Sequence, residues 1–255
     1  MQNSILEKIY KGDCLEYMEY MYEIKGSFVD FIFVDPPYFL SNDGITCANG
    51  RMVKVNKGEW DKSKGYKNDI KFHEEWLKRC KKLLKFDGTI AVSTTHHSLF
   101  DLGTLLRDLE FKFLNNITWE KPNPPPNLSC RYLTHSTENI LWFANNSKSK
   151  WKFNYEYMKP FNNGKQLKDV WTILPPKKYE KKFGKHPTQK PLELIDRLIL
   201  SATDEGDIVL DPFMGSGTTA VSAISLKRKF YGIEIDTKYI KLAQKRIAET
   251  IKQIS

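Results

Sequence analysis

The chain has four cysteines, Cys14, Cys47, Cys80 and Cys130, widely separated and without a CxxC pair. That spacing argues against a zinc site or a disulfide framework, and no metal site is expected. No apolar run approaches the roughly 18 residues that span a bilayer. The opening Met-Gln-Asn-Ser-Ile-Leu-Glu-Lys lacks the basic-then-apolar pattern of an export signal, so a cytoplasmic address is expected. Acids are outnumbered: 31 Asp and Glu stand against 40 Lys and Arg, a net charge of +9 over 255 residues. A positive excess suggests a polyanionic partner without establishing one. With 40% apolar and 28% charged residues, the composition is that of a folded chain rather than a disordered one. The length suits one α/β domain, or one with a sizeable insertion.

Strand and helix patterns alternate along the chain. Residues 5–10 read as a short strand, after which Asp13 at an N-cap opens a helix through Leu15, Met18 and Met21. The apolar run from Phe28 to Val34 ends at Asp35-Pro36-Pro37. Two prolines stop any helix, so this is a buried strand. Residues 41–65 are rich in Gly, Asn, Asp and Lys with little periodicity, which predicts a long loop. Helices follow at 69–85, 98–109 and 191–202, the last with Pro191 at its first position, then at 218–226 and 238–251. Strands fall at 89–93, 111–119, 138–143, 207–211 and 229–235. Alternation of this kind predicts a mostly parallel sheet covered by helices on both faces.

Between Lys148 and Lys190 the rhythm breaks. The segment holds scattered aromatics, several prolines, twelve lysines, no arginine and only three acids, Glu156, Asp169 and Glu180. Its net charge of +9 equals that of the whole chain. A lysine run such as Lys177–Lys182 is ordinarily a solvated face. Inside an aromatic-rich insertion that holds all the excess charge, it reads better as a phosphate-contacting surface. Asn162, Asn163 and Gln166 have chemistry suited to adenine edges.

Two motifs carry chemistry. Asp35-Pro36-Pro37-Tyr38 lies at the carboxyl end of a strand, where open parallel sheets bind ligands. The prolines stiffen the backbone and leave carbonyls without a neighbouring N–H to compete for them. A carboxylate, a free carbonyl and an aromatic ring suit an exocyclic amine on a flat base, although Asp-Pro-Pro is also found in ordinary rigid turns. The second motif, Asp211-Pro212-Phe213-Met214-Gly215-Ser216-Gly217-Thr218-Thr219, joins a strand to a helix. It lacks the lysine of a phosphate-binding P-loop, and Ala220 occupies the third glycine position of the dinucleotide motif. Glu234 ends the next strand about twenty residues on, where a carboxylate takes ribose hydroxyls. A Gly-Ser-Gly turn alone is weak evidence; with the acid it favours a nucleoside-containing cofactor.

Together these segments resemble the S-adenosylmethionine-dependent amino-methyltransferases of DNA, the N6-adenine and N4-cytosine enzymes of restriction–modification systems and their solitary relatives. The tetrapeptide precedes the Phe213-Met214-Gly215-Ser216-Gly217-Thr218 loop, which is the family's circularly permuted beta-class order. Lys185-His186-Pro187-Thr188-Gln189-Lys190-Pro191, Trp119-Glu120-Lys121-Pro122-Asn123-Pro124 and Gly12-Asp13 fit the same class. The resemblance implies a mostly parallel, Rossmann-like methyltransferase sheet. Residues 1–147 then form its catalytic half, 148–184 a target-recognition insertion and 185–255 its cofactor half.

The resemblance also implies roles for individual residues. Asp35, Pro36, Pro37 and Tyr38 are catalytic, with N6–H bonded to Asp35 and the Pro36 carbonyl and the flipped adenine stacked on Tyr38. S-adenosylmethionine lies among Asp13, Asp35, His186, Thr188, Lys190, Asp211, Phe213, Gly215, Ser216, Gly217, Thr218 and Glu234, with Lys190 or Thr188 on its carboxylate. The partners are DNA, a second copy of the chain and a cognate endonuclease. Aspartate at the first tetrapeptide position favours adenine over N4 of cytosine, and the basic insertion favours DNA over RNA. A catalytically inactive nucleic-acid-binding relative and, more distantly, a nicotinamide-dependent dehydrogenase are the other readings. His96 and His97 are read as structural rather than as acid–base catalysts. The stretch with Asn42, Arg51, Lys54 and Lys57 is expected to close over DNA.

Overall fold

The computed structural model describes residues 8–41, 45–48, 51–54 and 58–254. Among the described residues, ten strands form in chain order: β1 (Ile9–Lys11), β2 (Val29–Val34), β3 (Ile45–Ala48), β4 (Arg51–Lys54), β5 (Leu84–Thr94), β6 (Lys112–Glu120), β7 (Thr137–Ala144), β8 (Val170–Thr172), β9 (Ile208–Asp211) and β10 (Lys229–Glu234). Eight make one sheet in the order β1-β10-β9-β2-β5-β7-β6-β8, and β3 pairs with β4 alone. Only β7 runs against its neighbours in the large sheet; every other pairing there is parallel. The expected mostly parallel α/β sheet is therefore present.

Helices cover both faces. On one side pack α1 (Cys14–Lys25), α2 (Tyr66–Leu83) and α3 (Leu99–Asp108). A single turn, α4 (Tyr155–Met158), precedes the helices of the other side, α5 (Leu192–Ala202), α6 (Thr218–Ser225) and α7 (Thr237–Ile254). Strand β2 shows why its sequence is a continuous apolar run. Phe31 and Phe33 enter the core under α5–α7, while Val29, Ile32 and Val34 enter the core under α1–α3. A strand buried on both faces has no polar side to alternate with. Each such side chain contributes roughly 1.5–3 kcal/mol through burial.

β2 and β9 are neighbours (Phe31↔Val209, Ile32↔Leu210) although some 178 residues separate them. From β9 the order continues outward to β10 and β1; from β2 it continues the other way to β5. The sheet thus has its topological switch point between β2 and β9, and a crevice opens outside their carboxyl ends. Asp35 and Asp211 stand at those two ends.

Several expectations need correction. The stretch 41–65 is not a featureless loop: it contains the β3–β4 hairpin and a 3-10 turn at Glu59–Asp61. Asn42 and Lys57, and the side chains of Arg51 and Lys54, lie outside what is described, as do residues 5–7 of the first strand. Pro191 is the N-cap of α5 rather than its first residue, because its carbonyl accepts the first helical bonds. The helix expected over 69–85 spans Tyr66–Leu83, and β5 follows it directly from Leu84.

Residues 148–184, expected to be an insertion, are split between the two edges of the sheet. Lys150 N–H donates to Asp87, Lys152 pairs with Asp204 and Asp207, and Asn154 Nδ2 donates to Leu200 and Thr203 carbonyls. All these partners lie at the amino-terminal edge, away from Asp35. The chain then climbs beside β6 and pairs as β8 (Trp119↔Trp171). Residues from 173 onward return to the carboxyl-terminal edge, where the β6–β7 turn, residues 121–136, also lies. Asn162 Nδ2 is bonded to the Gln166 carbonyl, so those two close a turn of their own.

Candidate active site

A buried polar cluster surrounds the tetrapeptide. Asp35 Oδ1 accepts from the Tyr38 hydroxyl and from Lys190 Nζ at 2.6 Å. Lys190 Nζ also lies 3.4 Å from Glu138 Oε2, and Lys121 pairs with the other Glu138 oxygen. The Tyr38 hydroxyl makes a 2.9 Å hydrogen bond with Ser93 Oγ. Lys190 is only 5% exposed. Burial pulls its ammonium down, but Asp35, Glu138 and Tyr38 more than offset this and hold it well above the usual lysine value. Burial likewise raises Glu138, yet Lys190 and Lys121 leave its carboxyl below the usual range. Burial, then Asp35, lifts the Tyr38 hydroxyl well above its usual value. The paired charges compensate one another in a largely buried site.

Beside this cluster lies a cavity of about 500 Å³. Of the expected cofactor residues, Asp13, Asp35, His186, Thr188, Lys190, Asp211, Phe213, Gly215, Ser216, Thr218 and Glu234 line it. Gly217 is absent from the lining. Its φ of +75° and a position where a Cβ would meet the Ala243 Cβ at 2.7 Å tie it to helix packing. Gly215, at φ +51°, faces the His186 ring. Glu234 bridges the site, with Oε2 accepting Gly215 N–H at 2.7 Å and Oε1 accepting Asp236 N–H at 2.8 Å; burial raises its carboxyl. Asp211 accepts from Phe213 N–H and Thr219 Oγ1, and burial pushes it up to about 7. Asp13 caps α1 by accepting Leu15 and Glu16 N–H groups, as its sequence position suggested. An acid-floored glycine turn, a carboxylate on the next strand and a cavity of this size fit a nucleoside-containing cofactor.

Comparison with known proteins fits this geometry. Residues 29–245 match the N6/N4 methyltransferase family described as DNA methylase. The chain belongs to that DNA methylase family. It is 48% identical over 241 residues to the type II methyltransferase M2.MboI of Moraxella bovis, covering 94% of this chain and 87% of that one. It is 50% identical over 230 residues to M2.DpnII of Streptococcus pneumoniae, covering 90% and 86%. Among solved structures, the M1.HpyAVI–SAM complex aligns with a TM-score of 0.72 at 31% identity, over 94% of this chain and 98% of that one.

In this methylase two expected placements take a different form. The Tyr38 ring is buried and turned beneath Asp35 by its hydroxyl bonds, and the ring presented to the cavity at this point is that of Phe39. The Lys190 ammonium is engaged with Asp35 and Glu138, while Thr188 bonds His186 Nδ1 at 3.3 Å. His186 stacks on Trp60 (6.1 Å, 18°), and burial holds its imidazole neutral, down at about 4. His96 stacks on His135 at 4.6 Å, and neither His96 nor His97 lines the cavity. Among the described residues no group of three His, Cys, Asp or Glu is placed to hold a metal ion, and no helix is long and apolar enough to cross a membrane.

Several residues of the site carry no sequence signal. Glu138 and Ser93 hold Lys190 and Tyr38. Arg246, on α7, donates through Nη1 to the Ser216 carbonyl, Ser216 Oγ and Thr218 Oγ1 at 2.8–3.0 Å, and so fixes the glycine loop from below. Burial draws its guanidinium down to about 10. Phe39, Trp60 and Phe72 complete the cavity wall.

Proposed function

We propose that this protein is a site-specific DNA methyltransferase that transfers a methyl group from S-adenosylmethionine to N6 of an adenine flipped out of the duplex. The observation that carries this reading is the placement of Asp35 beside the cavity of the glycine loop and Glu234, at the switch point between β2 and β9. S-adenosylmethionine supplies an electrophilic methyl group on a sulfonium. Asp13 and Glu234 would hold its nucleoside, and the 211–219 loop with Thr188 its amino-acid end.

Adenine N6 is a weak nucleophile because its lone pair is delocalised into the ring. It must also leave the helix to be reached, which costs a few kcal/mol. Tyr38 and Lys190 both bind Asp35 through Oδ1, which leaves Oδ2 to accept from N6–H. The Pro36 carbonyl takes the second N6 hydrogen. Two acceptors draw the nitrogen toward tetrahedral geometry, and the carboxylate faces the positive charge that develops there. Lys190 pairs with Asp35 and fixes its rotamer.

Residues 1–147 and 185–255 form the two halves of this catalytic domain, with 148–184 as the insertion. DNA lies across the carboxyl-terminal edge, against the 121–136 turn and the second half of the insertion. Lys177 and Lys178 are exposed there, and Lys182 pairs with Glu249 of α7. The protein acts in the cytoplasm, within a restriction–modification system with a cognate endonuclease, and pairs with a second copy of itself. Modification mapping of genomic DNA from cells expressing the protein, beside an Asp35→Ala control, tests the reading. N6-methyladenine at one short sequence in the wild type alone is expected; N4-methylcytosine, or identical maps, would overturn it.

A further inference from the structure

Asp61 is fully buried, and its carboxylate is spent on the backbone that follows the catalytic prolines. Oδ1 accepts both the Tyr38 and Phe39 N–H groups at 2.9 Å, and Oδ2 accepts from Ser41 Oγ at 2.7 Å. The Asp61 carbonyl also receives the Ser41 N–H at 3.2 Å. Pro36 and Pro37 have no N–H, so these two are the first donors after Asp35, and one oxygen takes both.

The turn they enclose is strained. Phe39 has φ +54°, the left-handed region that a residue with a Cβ avoids. Two charge-assisted bonds to one anion stabilise it. The turn sends the Tyr38 ring back beneath Asp35 and the Phe39 ring out to the cavity wall against Phe72 and His73. The neighbouring Trp60 stacks on His186 across the same cavity. Ser41 and Asp61, bonded together, bracket the segment that carries β3 and β4.

We propose that Asp61 is a positioning residue for methyl transfer: by fixing the 38–39 backbone it aims Asp35 and the Pro36 carbonyl at the target amine. It touches neither cofactor nor base itself, and its effect belongs to the chemical step rather than to binding. The inference rests on the methyltransferase reading above.

The test compares purified wild type, Asp61→Ala, Asp61→Asn and Ser41→Ala by single-turnover methyl transfer to a duplex bearing the mapped site. Affinities for S-adenosylmethionine and for the duplex are measured alongside. Misaligning the reacting groups should slow transfer roughly 30- to 100-fold in Asp61→Ala, with both affinities within about threefold of wild type. Asparagine keeps an acceptor for the two N–H groups, so Asp61→Asn should recover a large part of the rate. Transfer by Asp61→Ala at the wild-type rate, or an asparagine variant no faster than the alanine one, overturns the proposal. Should Asp61→Ala not fold, Ser41→Ala, which frees Asp61 Oδ2, decides: several-fold slower transfer with affinities kept supports it, and the wild-type rate overturns it. Wild-type protein that methylates no DNA overturns the reading and this inference together. An active wild type with an unaltered Asp61→Ala overturns this inference alone.

Discussion

Lys190 donates to Asp35 across 155 positions of sequence, and the same ammonium reaches Glu138. A segment just ahead of α5 thus supplies the counter-charge for a carboxylate at the end of β2.

Removing that counter-charge should be costly. Lys190→Met leaves two largely buried carboxylates facing each other, and a loss of about 3–5 kcal/mol is expected. Asp35→Asn in the same chain should return part of it. Urea midpoints of the two single variants and the double variant, read as a cycle, check this; strict additivity would contradict the pairing.

Tyr38→Phe keeps the ring and removes the hydroxyl that bonds Asp35 and Ser93. A loss of about 1–2 kcal/mol is expected, with Ser93→Ala costing less, since the Tyr38–Asp35 bond survives. The same denaturation measurement reads both.

Arg246→Met removes three bonds beneath the glycine loop. Cofactor affinity should weaken roughly 10-fold or more, in line with about 1.5–3 kcal/mol for a hydrogen bond from a charged group. Calorimetric titration with S-adenosylmethionine measures it. An unchanged affinity would mean that the loop keeps its shape without α7.

Buried groups give the stability two opposed pH slopes. Asp211 binds its proton up to about 7 in the folded chain but only to about 4 when unfolded. The folded state therefore holds more protons between these limits, and this group's contribution falls as pH rises from 4 to 7. His73 and His186 behave oppositely. Burial holds both down at about 4 when folded, against about 6.5 unfolded, so their contribution is lost as pH falls from 6.5 toward 4. Asp211→Asn should gain on wild type as pH rises from 5 to 7, and His73→Gln should lose its share of the acid-side slope, His186 keeping the rest. Melting temperatures across pH 4.5–8 separate them, and parallel curves for variant and wild type would contradict the assignments.

What was legible in sequence is what repeats or what breaks a pattern. The run from Phe28 to Val34 is readable because β2 is buried on both faces, and the two motifs because prolines and glycines interrupt strand ends at the switch point. The β3–β4 hairpin had a signal in Asn49-Gly50, the dipeptide that tight hairpins favour, masked by the polar composition around it. Asp61, Glu138 and Arg246 had none. Each is an ordinary charged residue in sequence and acquires its role only through burial against partners far along the chain. The charge excess of residues 148–190 was visible, but its division between two edges of the sheet was not. That division follows from where β7 ends and β8 begins.

The reversal of β7 has an evolutionary consequence. A parallel strand leaves the Asp35 edge through a connection that must cross to the far side of the sheet. The β6–β7 pair instead places a turn on that edge with both ends held in the sheet, at Glu120 and Thr137. Lengthening such a turn is thermodynamically cheap, since doubling a loop costs only about 0.6 kcal/mol. Insertions and deletions there leave the spacing of Asp35, Lys190 and Glu234 unchanged.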